Sequence, residues 1–152
     1  QNIAVEVVPG ITAASAASAE LGVSLTRRGV ARSVVFATPR VGEGERESSW
    51  ARAAAAADTA VLYMASGKAN EVRQSLLDEG AKARTPVAIV ESASLPGQRV
   101  IAGVLADLPS LAAQCTGGPA LLLIGDVFAD TAAFQWGKWG TSPFRKIGTY
   151  PI

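Results

Sequence analysis

The apolar positions of the chain fall into short runs separated by stretches of helical spacing. Ile3 to Val8 is a β-branched run stopped by Pro9-Gly10, and it predicts a strand. Thr12 stands where a helix N-cap belongs, because its hydroxyl can accept a bond from a free N–H of the first turn. Ala13 to Leu21 then reads as a helix of small residues, with Gly22 as its stop. Further strands are predicted over Ser33–Ala37, Thr59–Met64, Pro86–Val90, Arg99–Val104 and Pro119–Gly125. Between them, helices are predicted from Ser48 or Ser49 to about Ala57, from Lys68 to Glu79 and from Ala106 to Cys115. The second of these carries Val72, Leu76 and Leu77 on one face and meets Gly80 as a stop.

Alternation of strands and helices, with several strands apolar throughout, predicts a sheet covered on both faces. Val87 to Val104 lacks a crossover helix, so a hairpin through Ser94-Leu95-Pro96-Gly97 is expected there. The expected fold class is α/β, with a mixed, largely parallel sheet flanked by helices. After Phe128 the pattern decays into a tail rich in Gly, Trp and Pro. Gln1 stands just before a predicted strand, so the chain is expected to be a piece of something longer.

Composition narrows the chemistry. Apolar residues make up 49% and charged residues 18% of the 152 positions, which is enough for a core and argues against disorder. The net charge of +1 carries no polyanion signature, and no basic amphipathic helix or aromatic-basic platform favours nucleic acid or membrane. There is no histidine, which removes Ser-His-Asp and Cys-His catalysis, and the lone Cys115 supports neither a disulfide framework nor a zinc cluster. No metal site and no catalytic residue is therefore nominated. No run of about 18 or more apolar residues is present, and cytoplasm is the default compartment.

Neither G-x-G-x-x-G nor a P-loop occurs, and Ser66-Gly67-Lys68 lacks the preceding glycine of a phosphate loop. In open α/β sheets, ligands bind beyond the C-terminal ends of strands. Four such ends are small and backbone-rich: Pro9 to Ala13, Met64-Ala65-Ser66, Glu91 to Ser94, and Gly125-Asp126. They suit a neutral heterocycle read through main-chain groups, or are ordinary loops. Arg27, Arg28, Arg32 and Arg40 fall within fourteen residues that contain no acid. Arginine forks suit carboxylates, so the cluster reads as a pocket wall for an acidic substrate, or as a solvated face or interface.

The ordered segments now bear comparison. Val7-Val8-Pro9-Gly10-Ile11-Thr12-Ala13-Ala14-Ser15, Gly22 to Arg28, Leu62-Tyr63-Met64, Thr85 to Glu91, Gln98 to Leu105 and Pro119 to Gly125 follow one order and spacing. Over roughly residues 3 to 136 the chain resembles the C-terminal half of uroporphyrinogen-III C-methyltransferases and of the methylase portion of siroheme synthases, within the tetrapyrrole methylase superfamily. The resemblance implies residues 1–11 as the end of an interlobe strand and linker, 12–136 as the C-terminal lobe of a two-lobed enzyme, and 137–152 as an irregular tail. It implies methyl transfer from S-adenosylmethionine to uroporphyrinogen III or a related acidic tetrapyrrole, giving precorrin-2 for siroheme or cobalamin, in a homodimer. It places Thr12, Ala13, Met64 and Ala93 at the cofactor, with S-adenosylhomocysteine as product, and turns Arg27, Arg28, Arg32 and Arg40 toward substrate.

The chain departs from the family pattern at Thr26-Arg27-Arg28-Gly29, Thr38-Pro39-Arg40 and Ser92-Ala93-Ser94, and two family histidines are missing from the part that would face substrate. The family's glycine-rich first turn and acid/base residues belong to the other lobe, so the isolated chain is expected to be inactive. Two other readings stand beside this one: a methylase acting on a later precorrin, and a lobe with a binding or dimerisation role only.

Overall fold

The computed structural model describes residues 3–39, 42, 44 and 48–129. Arg40, most of the 41–47 loop and the 137–152 tail lie outside the described residues. The elements in chain order are α1 (Ala13–Leu21), β1 (Val34–Ala37), α2 (Trp50–Ala56), β2 (Thr59–Tyr63), α3 (Ala69–Asp78), β3 (Pro86–Glu91), β4 (Arg99–Val104), α4 (Leu108–Ala112) and β5 (Ala120–Gly125). Short 3-10 turns cover Ser66–Lys68, Leu105–Asp107 and Asp126–Phe128. The first of these occupies the weak phosphate-loop resemblance.

The strands form one five-stranded sheet in the order β1-β2-β5-β3-β4. The expected mixed sheet is present, but its balance differs from the largely parallel expectation. Only β1 and β2 pair in parallel, whereas β2–β5, β5–β3 and β3–β4 are antiparallel. The cause lies in the connections. Helices α2, α3 and α4 each carry the chain back across the sheet, linking β1 to β2, β2 to β3 and β4 to β5 in the same direction, as parallel crossovers do. The hairpin between β3 and β4 reverses the last two strands, and β5 then inserts between β2 and β3. Parallel-type connections thus yield mostly antiparallel neighbours.

Successive residues of the central strands point to opposite faces, and both faces are covered. Leu62, Ile89 and Leu122 pack under α2, α3 and α4 with Val72, Leu76, Leu105 and Leu108. Val61, Ala88, Val90 and Leu123 pack on the other face against Ala14, Ala17 and Leu21 of α1 and against Val127 and Phe128. Each such apolar side chain withdrawn from water contributes about 1.5–3 kcal/mol for the larger aliphatics.

Helix α1 is bounded as its sequence predicts. The Ala14 N–H donates to the Thr12 side-chain oxygen at 3.4 Å. At the other end Gly22 is left-handed (φ 65), with its N–H bound to the Ala19 carbonyl and that of Val23 to the Ser18 carbonyl. The predicted strand over Ile3–Val8 does not form. That segment has no regular structure, and Ile3, Val5, Val7 and Val8 are 73–88% exposed. β-branched residues supply propensity, but a strand also needs a ladder of hydrogen bonds to a neighbour, and no strand among the described residues lies beside this one.

Candidate functional site

The register fixes which chain segments share an edge of the sheet. Tyr63 stands opposite Leu121, and Glu91 stands opposite both Ala120 and Arg99. The C-terminal ends of β1, β2 and β3 therefore lie together, beside the first residues of β4 and β5. Met64 and Ser92 to Ser94 leave the sheet at this edge. Gly125-Asp126 does not, because Gly125 pairs with Thr59 at the start of β2. The expectation that grouped it with the other strand ends is corrected by the antiparallel entry of β5.

Helix α1 brings Thr12 and Ala13 to the same edge. The Thr12 and Tyr63 hydroxyls are hydrogen-bonded, and the Ala14 N–H also points at the Tyr63 oxygen, 3.3 Å away. Toward the C-terminal end of the helix, the Glu20 carboxylate accepts from Gln98 Nε2 at 3.2 Å and from Ser94 Oγ at 3.5 Å. The helix thus runs from the end of β2 to the loop between β3 and β4. Its nine residues span about 13.5 Å, and the three strand spacings from β2 to β4 span about 14 Å. It lies across the strands, along the edge where they end.

Backbone geometry singles out the same place. Among the described residues, the non-glycine positions with positive φ are Met64 (52°), Ser92 (54°) and Ser94 (63°). Such conformations are costly for residues with a Cβ and gather at ligand sites. Two of them directly follow β2 and β3, and the third lies in the β3–β4 loop. Met64 is 59% exposed at the edge, while Ala93 is half-buried against the core on the α1 side. The four residues nominated for the cofactor are therefore brought to one edge.

The arginines are more dispersed. Arg27 and Arg28 lie exposed in the turn that follows α1, where Arg27 bridges to Ala31. The Arg32 N–H donates to Asp58 Oδ2 at 2.9 Å, just before β1 begins. Val34 pairs with Thr59 there, so Arg32 is carried by the opposite edge. Arg40 lies outside the described residues.

Several residues at the candidate edge were not nominated. Tyr63 holds the start of α1. Gln98 accepts the Ser94 N–H at 2.7 Å and ties the β3–β4 loop to Glu20. Glu91, buried at the end of β3, is bound by the Thr116 and Gly118 N–H groups. Burial pushes its carboxyl up, but the bonds from Gly118 and Thr116 outweigh it and hold the group below the ordinary 4.5. An acid ending an otherwise apolar strand was the one signal available for it.

Thr12, Ala13, Met64 and Ala93 include no acid, base or cation. They offer small surfaces, main-chain groups and a thioether, which suit a flat neutral ring and tolerate a neighbouring positive charge. Among the described residues no group of three His, Cys, Asp or Glu side chains is placed to hold a metal ion. No described helix is long and apolar enough to cross a membrane.

Comparison with known proteins places the chain among known families. The family model of tetrapyrrole (corrin/porphyrin) methylases matches residues 1–109. Siroheme synthase 2 of Aeromonas hydrophila is 40% identical over 136 residues, which is 90% of this chain and 29% of that protein. The native uroporphyrin-III C-methyltransferase of Thermus thermophilus superposes with a TM-score of 0.70 at 30% identity, over 82% of this chain and 52% of that one. The structure of the Thermus thermophilus enzyme complexed with S-adenosylhomocysteine gives a TM-score of 0.68 at 32% identity, over 80% and 52% respectively. The chain thus spans under a third of that siroheme synthase and about half of the solved methyltransferase. With a family model matched over most of its length, the chain belongs to the tetrapyrrole methylase family.

Proposed function

We propose that this chain forms one wall of the S-adenosylmethionine site in a uroporphyrinogen-III C-methyltransferase that makes precorrin-2 for siroheme or cobalamin, working as a homodimer. The observation that carries the reading is the convergence of Thr12, Ala13, Met64 and Ala93 on one sheet edge, across which α1 lies. The similarity to a methyltransferase solved with S-adenosylhomocysteine supports the choice of ligand.

The bound cofactor supplies a methyl group on a sulfonium. The chain's own residues hold and orient. The main chain around Thr12-Ala13 and Ser92–Ser94 presents polar edges to a neutral ring, and the Met64 thioether offers a soft, uncharged contact. Thr12, Ala13, Met64 and Ala93 carry no charge, and Arg99, at the start of β4 on this edge, faces the Glu91 carboxylate 3.7 Å away, so a sulfonium meets no uncompensated like charge at these four residues. Methyl transfer of this kind depends mainly on placing donor and carbon nucleophile together. Removal of the proton from the methylated carbon needs a base, and none of Thr12, Ala13, Met64 and Ala93 is one. Arg27, Arg28 and Arg40 offer guanidinium groups to the carboxylates of a tetrapyrrole.

Titration of the intact protein with S-adenosylhomocysteine tests the reading, with saturable binding expected and its absence overturning it. Product analysis separates uroporphyrinogen III from a later precorrin as substrate. The 152-residue chain produced alone is expected to give no methylated product. Turnover by that chain alone would defeat this last expectation.

A further inference from the structure

A carboxylate is buried where β3 leaves the core. Glu91 is 1% exposed. Its Oε1 accepts the Thr116 N–H at 2.7 Å and the Gly118 N–H at 2.8 Å, and its Oε2 accepts the Thr116 hydroxyl at 3.1 Å. Arg99 Nη1 stands 3.7 Å from Oε2 and donates to the Gln114 carbonyl at 2.7 Å. The segment that follows α4 is thereby drawn onto the end of β3.

The fit at this corner is close. The Ser92 N–H donates to the Pro119 carbonyl at 2.8 Å. A Cβ added at Gly118 would stand 2.5 Å from Ser92 Oγ and 3.2 Å from Glu91 Cγ. The segment around residue 118 is therefore packed closely against the Glu91 and Ser92 side chains. Ser92 itself is left-handed at φ 54. On the other side of the loop, Gln98 holds the Ser94 N–H and reaches Glu20 of α1.

Packing alone would favour an apolar residue here. Position 91 continues the row of Val87 and Ile89 on the face covered by α2, α3 and α4, and replacing a buried charge by an apolar group is often neutral or stabilising. A carboxylate instead accepts three directed bonds that only one placement of the 116–118 segment can make. We infer that Glu91 is a positioning residue for the proposed cofactor site: it fixes the 116–118 segment against Ser92 and so sets the left-handed turn that presents Ser92, Ala93 and Ser94 at the sheet edge. Glu91 acts through this backbone and does not itself contact ligand. The inference rests on the cofactor reading above.

The test uses the intact protein carrying this chain, with S-adenosylhomocysteine as the calorimetric probe. Glu91→Gln keeps one oxygen for the two backbone N–H groups but removes the charge and puts an amide donor where Oε2 now faces the Thr116 hydroxyl and the Arg99 guanidinium. It is expected to weaken binding by about tenfold or more, since small displacements in a ligand site carry large penalties, with little change in the KM for the tetrapyrrole. Adding Ser92→Gly to that variant is expected to restore much of the affinity, because glycine takes positive φ without strain. Asp58→Asn, at the opposite edge, serves as a control for general loss of stability. Equal binding by Glu91→Gln and the unaltered protein overturns the inference. So does a loss that Asp58→Asn reproduces at the same fall in melting temperature. If Glu91→Gln does not fold, Glu91→Asp carries the test, since it keeps the charge but draws the acceptor back from the Thr116 and Gly118 N–H groups; unchanged affinity there overturns the inference equally. Failure of the unaltered protein to bind defeats the cofactor reading and this inference with it, whereas binding by both proteins with equal affinity defeats this inference alone.

Discussion

Cys115 is the one thiol of the chain, and its surroundings argue against a reactive role. Burial first, and the Glu91 charge second, push its pKa above the ordinary 9.0, while Arg99 pulls the other way. A thiol raised in this way is almost wholly protonated at neutral pH, and the thiolate is the nucleophile. Alkylation by iodoacetamide at pH 7 is therefore expected to run slower than for an unstructured cysteine peptide, and Cys115→Ser is expected to bind S-adenosylhomocysteine as the unaltered protein does. Rapid labelling, or loss of binding in Cys115→Ser, would contradict this. At this scale the candidate site was partly legible. Thr12 announces itself as a cap before a helix of small residues, and Met64 as a side chain left at a strand end. Tyr63, Gln98 and Glu91 were not legible, because their importance lies in partners that neighbour them only after folding: Tyr63 meets Thr12 across 51 positions, and Glu91 meets Thr116 across 25.

The elements themselves were mostly readable from spacing and stops, since their boundaries follow local chemistry. β4 spans Arg99–Val104 and α1 spans Ala13–Leu21 as their patterns suggest. Strand direction was not readable, because an apolar run such as Leu121 to Ile124 has the same composition whichever way it enters the sheet. Local reading also fails where an element joins another through a single side chain. Asp58 Oδ2 accepts from the Arg32 N–H, the Ser33 N–H and the Ser33 hydroxyl, and so joins the start of β1 to the start of β2. Those bonds, with the Arg32 N–H foremost, hold its pKa below the ordinary 3.8. A carboxyl depressed in the folded state stabilises it above the unfolded value, and that contribution is lost as pH falls through the folded value. Asp58→Asn is therefore expected to melt lower than the unaltered protein at neutral pH. Its melting temperature is expected to fall less between about pH 5 and pH 3, since one titrating group has been removed. Parallel melting profiles across that interval would show that the Asp58 clamp does not bear on stability.

At the scale of the molecule, two well-covered sheet faces contrast with one uncovered stretch. Ile3, Val5, Val7, Val8 and Ile11 are each 73–88% exposed and lie within nine residues of one another. Single exposed apolar residues are common on protein surfaces, but a run of them is a binding or association surface. The same β-branched sequence that predicted a strand explains why the run stays apolar, since a strand buried on both faces needs such residues. Half of the pattern, the chemistry of the residues, was thus present in the sequence; the other half, a pairing neighbour, is not among the described strands. The chain produced alone is expected to bind an apolar fluorescent dye while keeping a cooperative thermal transition, because the exposed run lies outside both core clusters. Val5→Ser with Val7→Ser is expected to reduce dye binding and any concentration-dependent association, with a shift in melting temperature no larger than an exposed substitution produces, about 0.5 kcal/mol in stability. A large loss of stability in that double variant would mean that the run is already packed against the fold, and the association surface would then have to be sought elsewhere on the molecule.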